Sequence, residues 1–304
     1  MKVQATLKNT FTGHDGPVYT LEQGGDQNSF FSGSGDKLVS TWSFDLTTEP
    51  KALVNVGAIV YSVCHLDELN CLLVGESSGG LHVVDLEKKQ EIRFIKHHSG
   101  GIFDILYSKK NKHVYTVSAD GTIAIWDSEN FTLLRSVSLC KEKVRSLSLD
   151  RNESELAIAC GDGQIRILDI DKLQIRHSFH AHDLSANVVS YHPEQNILLS
   201  GGRDAILNFW DRDSYQLIKS IPAHNYAIYS IDFSPDAQLI ATGSRDKTVK
   251  IWDADKLDFL LRIDRENHDG HQFSVNKVLW AKENGLLLSA GDDKSIKLWS
   301  VTRA

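Results

Sequence analysis

The stretch "ATGSRDKTVKIWDAD" occupies Ala241–Asp255. Two alternating, β-branched runs flank a tight turn, the pattern of two strands joined by a short connection. Asp246 lies in that turn, four residues after Thr242 and six before Trp252. A turn alone is served as well by Asn or Gly, so the carboxylate calls for another explanation. Stepping back from Trp252 in intervals of 42 residues reaches Trp210, Leu168, Trp126, Val84 and Trp42. Four of these six positions are Trp in a chain with 6 Trp in all, so the chain is internally repeated.

The other markers repeat with the same period. Asp246 is preceded by Asp204, Asp162, Asp120, Ser78 and Asp36, and Thr242 by Ser200, Ile158, Thr116, Val74 and Ser32. His224 is preceded by His182, Cys140, His98, Val56 and His14. A seventh copy, displaced by five residues, has His271, Ser289, Asp293 and Trp299, the extra residues falling within "RIDRENHDGH". Five units carry all four markers; the second and fourth replace nearly all of them, keeping only Asp162. Runs such as "YSIDFS", "LIATGS", "VKIWDA" and "DFLLRI" predict four strands per unit, and no long stretch has helical periodicity. Four strands in a period of this length read as a propeller blade. The last unit ends at "SIKLWSVTRA" without a fourth strand, while "VQATLKN" (Val3–Asn9) precedes the first His without a blade of its own. Pairing them removes two exposed edges and predicts one domain over 1–304.

These units resemble WD40 repeats along the whole chain. The likeness rests on "TGHDGPV", "HHSGGI", "AHDLSA", "AHNYAI" and "DGHQFSV", with "IWD" at 125–127 and 251–253 and "FWD" at 209–211. It implies an all-β, seven-bladed WD40 β-propeller with four antiparallel strands per blade, closed by the N-terminal strand. It also implies that the markers form hydrogen-bonded tetrads: His14, Ser32, Asp36 and Trp42; His98, Thr116, Asp120 and Trp126; His182, Ser200, Asp204 and Trp210; His224, Thr242, Asp246 and Trp252; His271, Ser289, Asp293 and Trp299. The chemistry is sensible, because indole only donates, carboxylate only accepts, and a hydroxyl can bridge indole to imidazole. A catalytic Asp–His–Ser reading fails on the fivefold repetition and on the Trp that ends each set. In the degenerate units, apolar contacts are expected among Val56, Val74 and Val84 and among Cys140, Ile158 and Leu168, with Asp162 capping its own turn, since half of a buried polar network is worse than none.

Composition is that of a globular chain: 41% hydrophobic, 24% charged, 304 residues. A net charge of −7 disfavours nonspecific nucleic-acid binding. The N-terminus has no signal-peptide core, and no apolar run reaches membrane-spanning length, so no membrane association and a cytoplasmic location are expected. The cysteines at 64, 71, 140 and 160 include no C-x-x-C pair, which suits free thiols in a reducing compartment. His97, His180 and His268 lie in different units and match no closed zinc site; no metal, cofactor, P-loop or G-x-S-x-G elbow is expected.

The resemblance further implies a binding face formed by the His loops and Asp turns. Its positions five residues after the His marker are Tyr19, Tyr61, Phe103, Arg145, Asn187, Tyr229 and Asn276. Those three residues after it are Pro17, Ile59, Gly101, Lys143, Ser185, Ala227 and Ser274. Those just before the Asp marker are Gly35, Ser77, Ala119, Gly161, Arg203, Arg245 and Asp292. Aromatic and Arg residues anchor protein interfaces, whereas the bland account has the aromatics packing inner strands and the arginines forming local ion pairs. The expectation is a noncatalytic scaffold, a monomer or a subunit of a larger complex, that docks an acidic, partly apolar protein or peptide. The alternative is a small-ligand or enzymatic propeller working through its central channel, which would need inward-facing acids, His or metal ligands.

Overall fold

A computed structural model describes residues 3–26, 28–45 and 49–303. Among these, the chain forms seven four-stranded antiparallel sheets, the blades of a seven-bladed β-propeller. Helical structure among the described residues is limited to one 3-10 turn at Asp67–Leu69 and one α-helical turn at Arg265–His268. The latter is the insertion of the seventh unit. Asp264 caps it by accepting from Asn267 N–H at 2.9 Å, and Gly270 N–H closes onto the Asp264 carbonyl.

The blades fall into two compact units. One unit, Tyr61–Ala223, holds the second to fifth blades. Its third blade runs Ile102–Ser108, His113–Ser118, Thr122–Asp127 and Leu133–Ser138 in hydrogen-bonding order, and its fourth runs Val144–Leu149, Glu155–Cys160, Gln164–Asp169 and Gln174–His180. The other unit, Met1–Val60 with His224–Ala304, holds the first, sixth and seventh blades. The seventh is assembled from Val275–Trp280, Leu287–Gly291 and Ile296–Arg303, with Val3–Phe11 as its fourth strand. The N-terminal strand therefore extends two residues beyond the expected Asn9, in register from Val3 opposite Arg303 to Phe11 opposite Ile296.

Burial explains the strand order. Second strands such as Leu239–Ser244 and Glu155–Cys160 are buried throughout, whereas fourth strands such as Leu133–Ser138 lie mostly in solvent. Apolar residues accordingly fill the middle of each blade and thin out toward its edge. Adjacent first strands are clasped by side chains. In the larger unit, the Asp104 carboxylate accepts from Leu147 N–H at 2.8 Å and the Ser148 hydroxyl from Tyr191 N–H at 2.9 Å. In the other, Ser230 and Asp232 accept from Val278 and Trp280 N–H at 3.1 and 2.6 Å. These bonds satisfy backbone donors that no neighbouring strand reaches.

In the seventh blade the N-terminal strand covers an edge backed by Trp299 and Val301 and carries Phe11, whose ring meets Phe30 and Trp42 edge-on at 5.3 and 5.7 Å. Deleting residues 1–11 exposes that edge and uncovers these rings. The expected result is a lower thermal midpoint and concentration-dependent association by size-exclusion chromatography, both reversed by a synthetic peptide of residues 1–11. A truncated protein with the parent's midpoint and elution volume would remove the N-terminal strand from the account of blade closure.

Candidate functional site

The loops that could meet a partner are held by the carboxylate raised at the outset. In the sixth blade His224 Nδ1 lies 2.9 Å from Asp246 Oδ2, His224 Nε2 lies 2.8 Å from the Thr242 hydroxyl, and Trp252 Nε1–H donates to that hydroxyl at 2.9 Å. The same relay joins His14, Asp36, Ser32 and Trp42 at 2.7 Å throughout. It joins His98, Asp120, Thr116 and Trp126 at 3.2, 2.8 and 3.0 Å. It joins His182, Asp204, Ser200 and Trp210 at 3.0, 2.8 and 2.9 Å, and His271, Asp293, Ser289 and Trp299 at 2.9 Å throughout. Indole must donate and carboxylate must accept, so the hydroxyl donates to Nε2 and the imidazole proton sits on Nδ1. All five hydroxyl residues are fully buried and cannot reach a substrate.

The carboxylate does more than receive the imidazole. Asp246 Oδ2 also accepts from Asn225 N–H in the His loop at 3.0 Å, while Oδ1 caps its own turn by accepting from Thr248 N–H at 3.1 Å and from the Thr248 hydroxyl at 2.6 Å. The turn needs that cap because Lys247 takes a left-handed φ of 73°, which costs about 1 kcal/mol in a residue with a Cβ. Burial alone would raise the Asp246 carboxyl; the His224 and Thr248 bonds outweigh it and hold it well below the usual range. Burial keeps His224 and His98 below the ordinary imidazole value despite their carboxylate partners.

The degenerate blades solve the same problem differently. In the second, Ser78 stands at the Asp position, and Glu76, two residues earlier and buried, supplies the carboxylate, accepting from Ser78 N–H, from the Ser78 hydroxyl at 2.6 Å and from Gly80 N–H at 2.7 Å. Val74 and Val84 are fully buried. In the fourth, Cys140 packs against the cluster that contains Ile158 and Leu168. Asp162 accepts from Gln164 N–H at 3.2 Å and holds Arg166 through two bonds of 3.0 and 2.6 Å.

Two backbone features shape the loops. The N–H of the residue before the Asp marker donates to the carbonyl three residues after the His marker in six blades: Gly35 to Pro17, Ala119 to Gly101, Gly161 to Lys143, Arg203 to Ser185, Arg245 to Ala227 and Asp292 to Ser274, at 2.7–3.0 Å. These two position classes are therefore neighbours in space. In six blades a β-bulge also falls on the position five residues after the His marker, at Tyr19, Phe103, Arg145, Asn187, Tyr229 and Asn276. A bulge leaves its extra residue unpaired and re-aims its side chain.

In the larger unit the Tyr61 and Phe103 rings lie 5.2 Å apart, and Lys143 and Arg145 reach over the Phe103 ring at 5.7 and 5.4 Å. Arg203, on the Asp turn of the fifth blade, is exposed. In the other unit Arg245 lies over Tyr226 at 5.9 Å and Lys247 over Phe273 at 5.9 Å. Tyr226 and Phe273, with Leu184 in the larger unit, are 60%, 53% and 50% exposed. All three stand two residues after their His markers, a position the sequence reasoning left out; their apolar character in a polar loop was the signal available. Tyr19 and Tyr229 are half-buried on the first strands of their blades. Asn187 is buried. Asn276 donates to the Val18 carbonyl at 3.0 Å and to Asp292 at 2.8 Å, so this pair serves the fold. Of the leftover histidines, His97 meets the Ser136 hydroxyl at 3.3 Å, His180 meets Asp183 at 3.6 Å and His268 meets Asp264 at 3.8 Å.

With repeats, tetrads and blades in place, comparison with known proteins is decisive. The WD40 family (WD domain, G-beta repeat) matches residues 5–43, 89–127, 215–253 and 265–300, together half of the chain. The chain belongs to the WD40 family. The anaphase-promoting complex subunit 4 WD40 domain also matches, over 138–192, which includes the degenerate fourth blade. WD repeat-containing protein 90 of Xenopus tropicalis is 25% identical over 48% of this chain and 8% of its own length. The serine-threonine kinase receptor-associated protein of Gallus gallus is 29% identical over 64% of this chain and 54% of its own. The chain thus spans about half or less of these relatives. The crystal structure of the WD40 propeller domain of Doa1 superposes with a TM-score of 0.86 over 97% of both chains at 19% identity, a likeness of fold. WD40 propellers are typically interaction scaffolds and generally noncatalytic, with proteins as partners.

Replacing Asp246 by Ala removes the His224 acceptor and two backbone caps from a nearly buried site. It should cost about 3 kcal/mol in denaturant unfolding. Asp162→Ala, which has no imidazole partner and leaves a more exposed Arg, should cost about 1 kcal/mol or less. Equal losses would refute a special role for the tetrad. The pH dependence has a fixed sign. His98 and His224 are depressed from 6.5, and the tetrad carboxyls from 3.8, so the unfolded chain binds more protons on acidification. Stability should fall as pH drops below about 6.5 and more steeply below about 4. A thermal midpoint that rises between pH 7 and pH 5 would contradict this.

Proposed function

We propose that this WD40 chain is a noncatalytic docking platform whose His loops and Asp turns bind an acidic, partly apolar peptide segment of a partner protein. The observation that carries the reading is the pairing of aromatic rings with cations on those loops and on the starts of the first strands beside them: Tyr61 and Phe103 with Lys143 and Arg145 in one unit, Tyr226 and Phe273 with Arg245 and Lys247 in the other. Each pairing offers an apolar surface for an anchor side chain beside a positive charge for a carboxylate. The overall charge of −7 makes these cations a local exception, so electrostatic complementarity supplies specificity for acidic segments. The bulged strand positions and tied loops preorganise the groups, which lowers the ordering cost of binding.

The test uses fluorescent peptides alternating Glu with Leu or Phe, with Lys-containing peptides of the same pattern as controls. Lys143→Glu combined with Arg245→Glu should weaken acidic-peptide binding at least about tenfold at an unchanged thermal midpoint, and added salt should weaken binding in the parent. Equal binding of both peptide sets, full affinity in the double variant, or a partner mapped to the exposed fourth strands would overturn the reading.

A further inference from the structure

The fourth blade differs from its neighbours in chemistry as well as packing. Cys140 occupies the position held by His in five blades. Cys160 occupies a position where three blades have a Ser whose hydroxyl caps the His loop, as Ser244 does with the Tyr226 carbonyl at 3.1 Å. Replacing imidazole by the smaller Cys side chain brings the two sulfurs together: Cys140 Sγ, Cys160 Sγ and a carboxylate oxygen of Asp162 all lie within 4.8 Å of one another. Cys160 is fully buried, whereas Cys140 sits half-buried on the loop between Leu133–Ser138 and Val144–Leu149, with Sγ 3.1 Å from the Glu142 carbonyl.

Three groups that could hold a cation are thus adjacent, but Arg166 engages Asp162 through both its oxygens. That guanidinium occupies the carboxylate and repels a metal ion. It favours instead a negative charge on sulfur. The neighbouring Cys160 side chain brings the Cys140 thiol down to about 7, against burial and the Asp162 charge, with a smaller contribution from Arg166. The same proximity and burial push the Cys160 thiol up. One sulfur is accessible and nucleophilic while the other is protonated, buried and within reach. This is the division between an attacking and a resolving thiol.

We propose that Cys140 and Cys160 form a peroxide-reactive dithiol whose product is an intrachain disulfide. The Cys140 thiolate attacks one oxygen of hydrogen peroxide. The O–O bond breaks, an S–O bond forms, the sulfur is oxidised to the sulfenic acid by two electrons, and the peroxide is reduced, its departing oxygen leaving as water after taking a proton. Cys160 then loses its proton and attacks the Cys140 sulfur. The S–S bond forms, the S–O bond breaks, and hydroxide leaves with that proton as a second water. The sulfurs close to about 2 Å, and Cys140, on a loop and outside any strand, supplies the movement. A dithiol reductant returns both thiols.

The full chain, reduced and then treated with hydrogen peroxide, is digested without reduction and mapped by mass spectrometry. The expected product links the Cys140 and Cys160 peptides, while Cys64 and Cys71, both buried, keep their thiols. Cys160→Ser should leave Cys140 as a sulfenic acid captured by dimedone, and Cys140→Ser should leave Cys160 unreactive. Arg166→Gln keeps both thiols and should slow the parent reaction severalfold, which tests the chemistry independently of the cysteine variants' folding. Oxidation spread evenly over the four cysteines, disulfide dimers through Cys140, or equimolar zinc that binds the pair and blocks oxidation would overturn the proposal.

Discussion

The bond between a histidine imidazole and an aspartate carboxylate, repeated in five blades, is the constraint on which the loops depend. One carboxylate receives the imidazole and a loop N–H on one oxygen and closes a turn with the other, as Asp246 does. Neutral Asn or Gly could not accept so many donors at once. The Trp and hydroxyl behind the imidazole anchor it to the blade, so the loop's position follows from the position of the sheet.

This coupling accounts for the variation among blades. Where the His is lost, the turn still needs a carboxylate, because its following residue is left-handed in all seven blades, from Lys37 to Lys294. Glu76 serves the second blade from two residues upstream, and Asp162 serves the fourth with Arg166 in place of the imidazole. At Gly121 the requirement is stricter still, since a Cβ there would collide with the Cys140 carbonyl. The network is thus kept whole or replaced by an apolar core with its own turn cap, as the cost of unpaired buried polar groups demands.

The loops so fixed carry the chemistry available for recognition. In six blades a bulge lifts one first-strand residue out of the ladder, and a backbone bond brings the residue before the Asp marker position beside the loop. Rings and cations then meet because backbone features place them, with no long side chain needing to search. The same scaffold, relieved of its imidazole in the fourth blade, sets two sulfurs beside an arginine.

Sequence alone determined the blade count, the strand count and the closing role of a strand over Val3–Asn9, because a fixed period and edge satisfaction leave few ways to arrange the chain; the structure carries that strand on to Phe11. Its period also picked out the four marker residues, and the resemblance to WD40 repeats implied that they form tetrads. Only the tertiary structure decided which loop residues meet. The exposure of Tyr226 and Phe273, the bulge under Phe103 and Arg145, the pairing of Asn276 with Asp292, the substitution of Glu76 for a missing Asp and the approach of Cys140 to Cys160 all depend on register and on distances between separate strands. A period specifies where a residue recurs along the chain. A register shift of one residue, or the exchange of an imidazole for a thiol, changes what that residue touches without leaving a mark on the period.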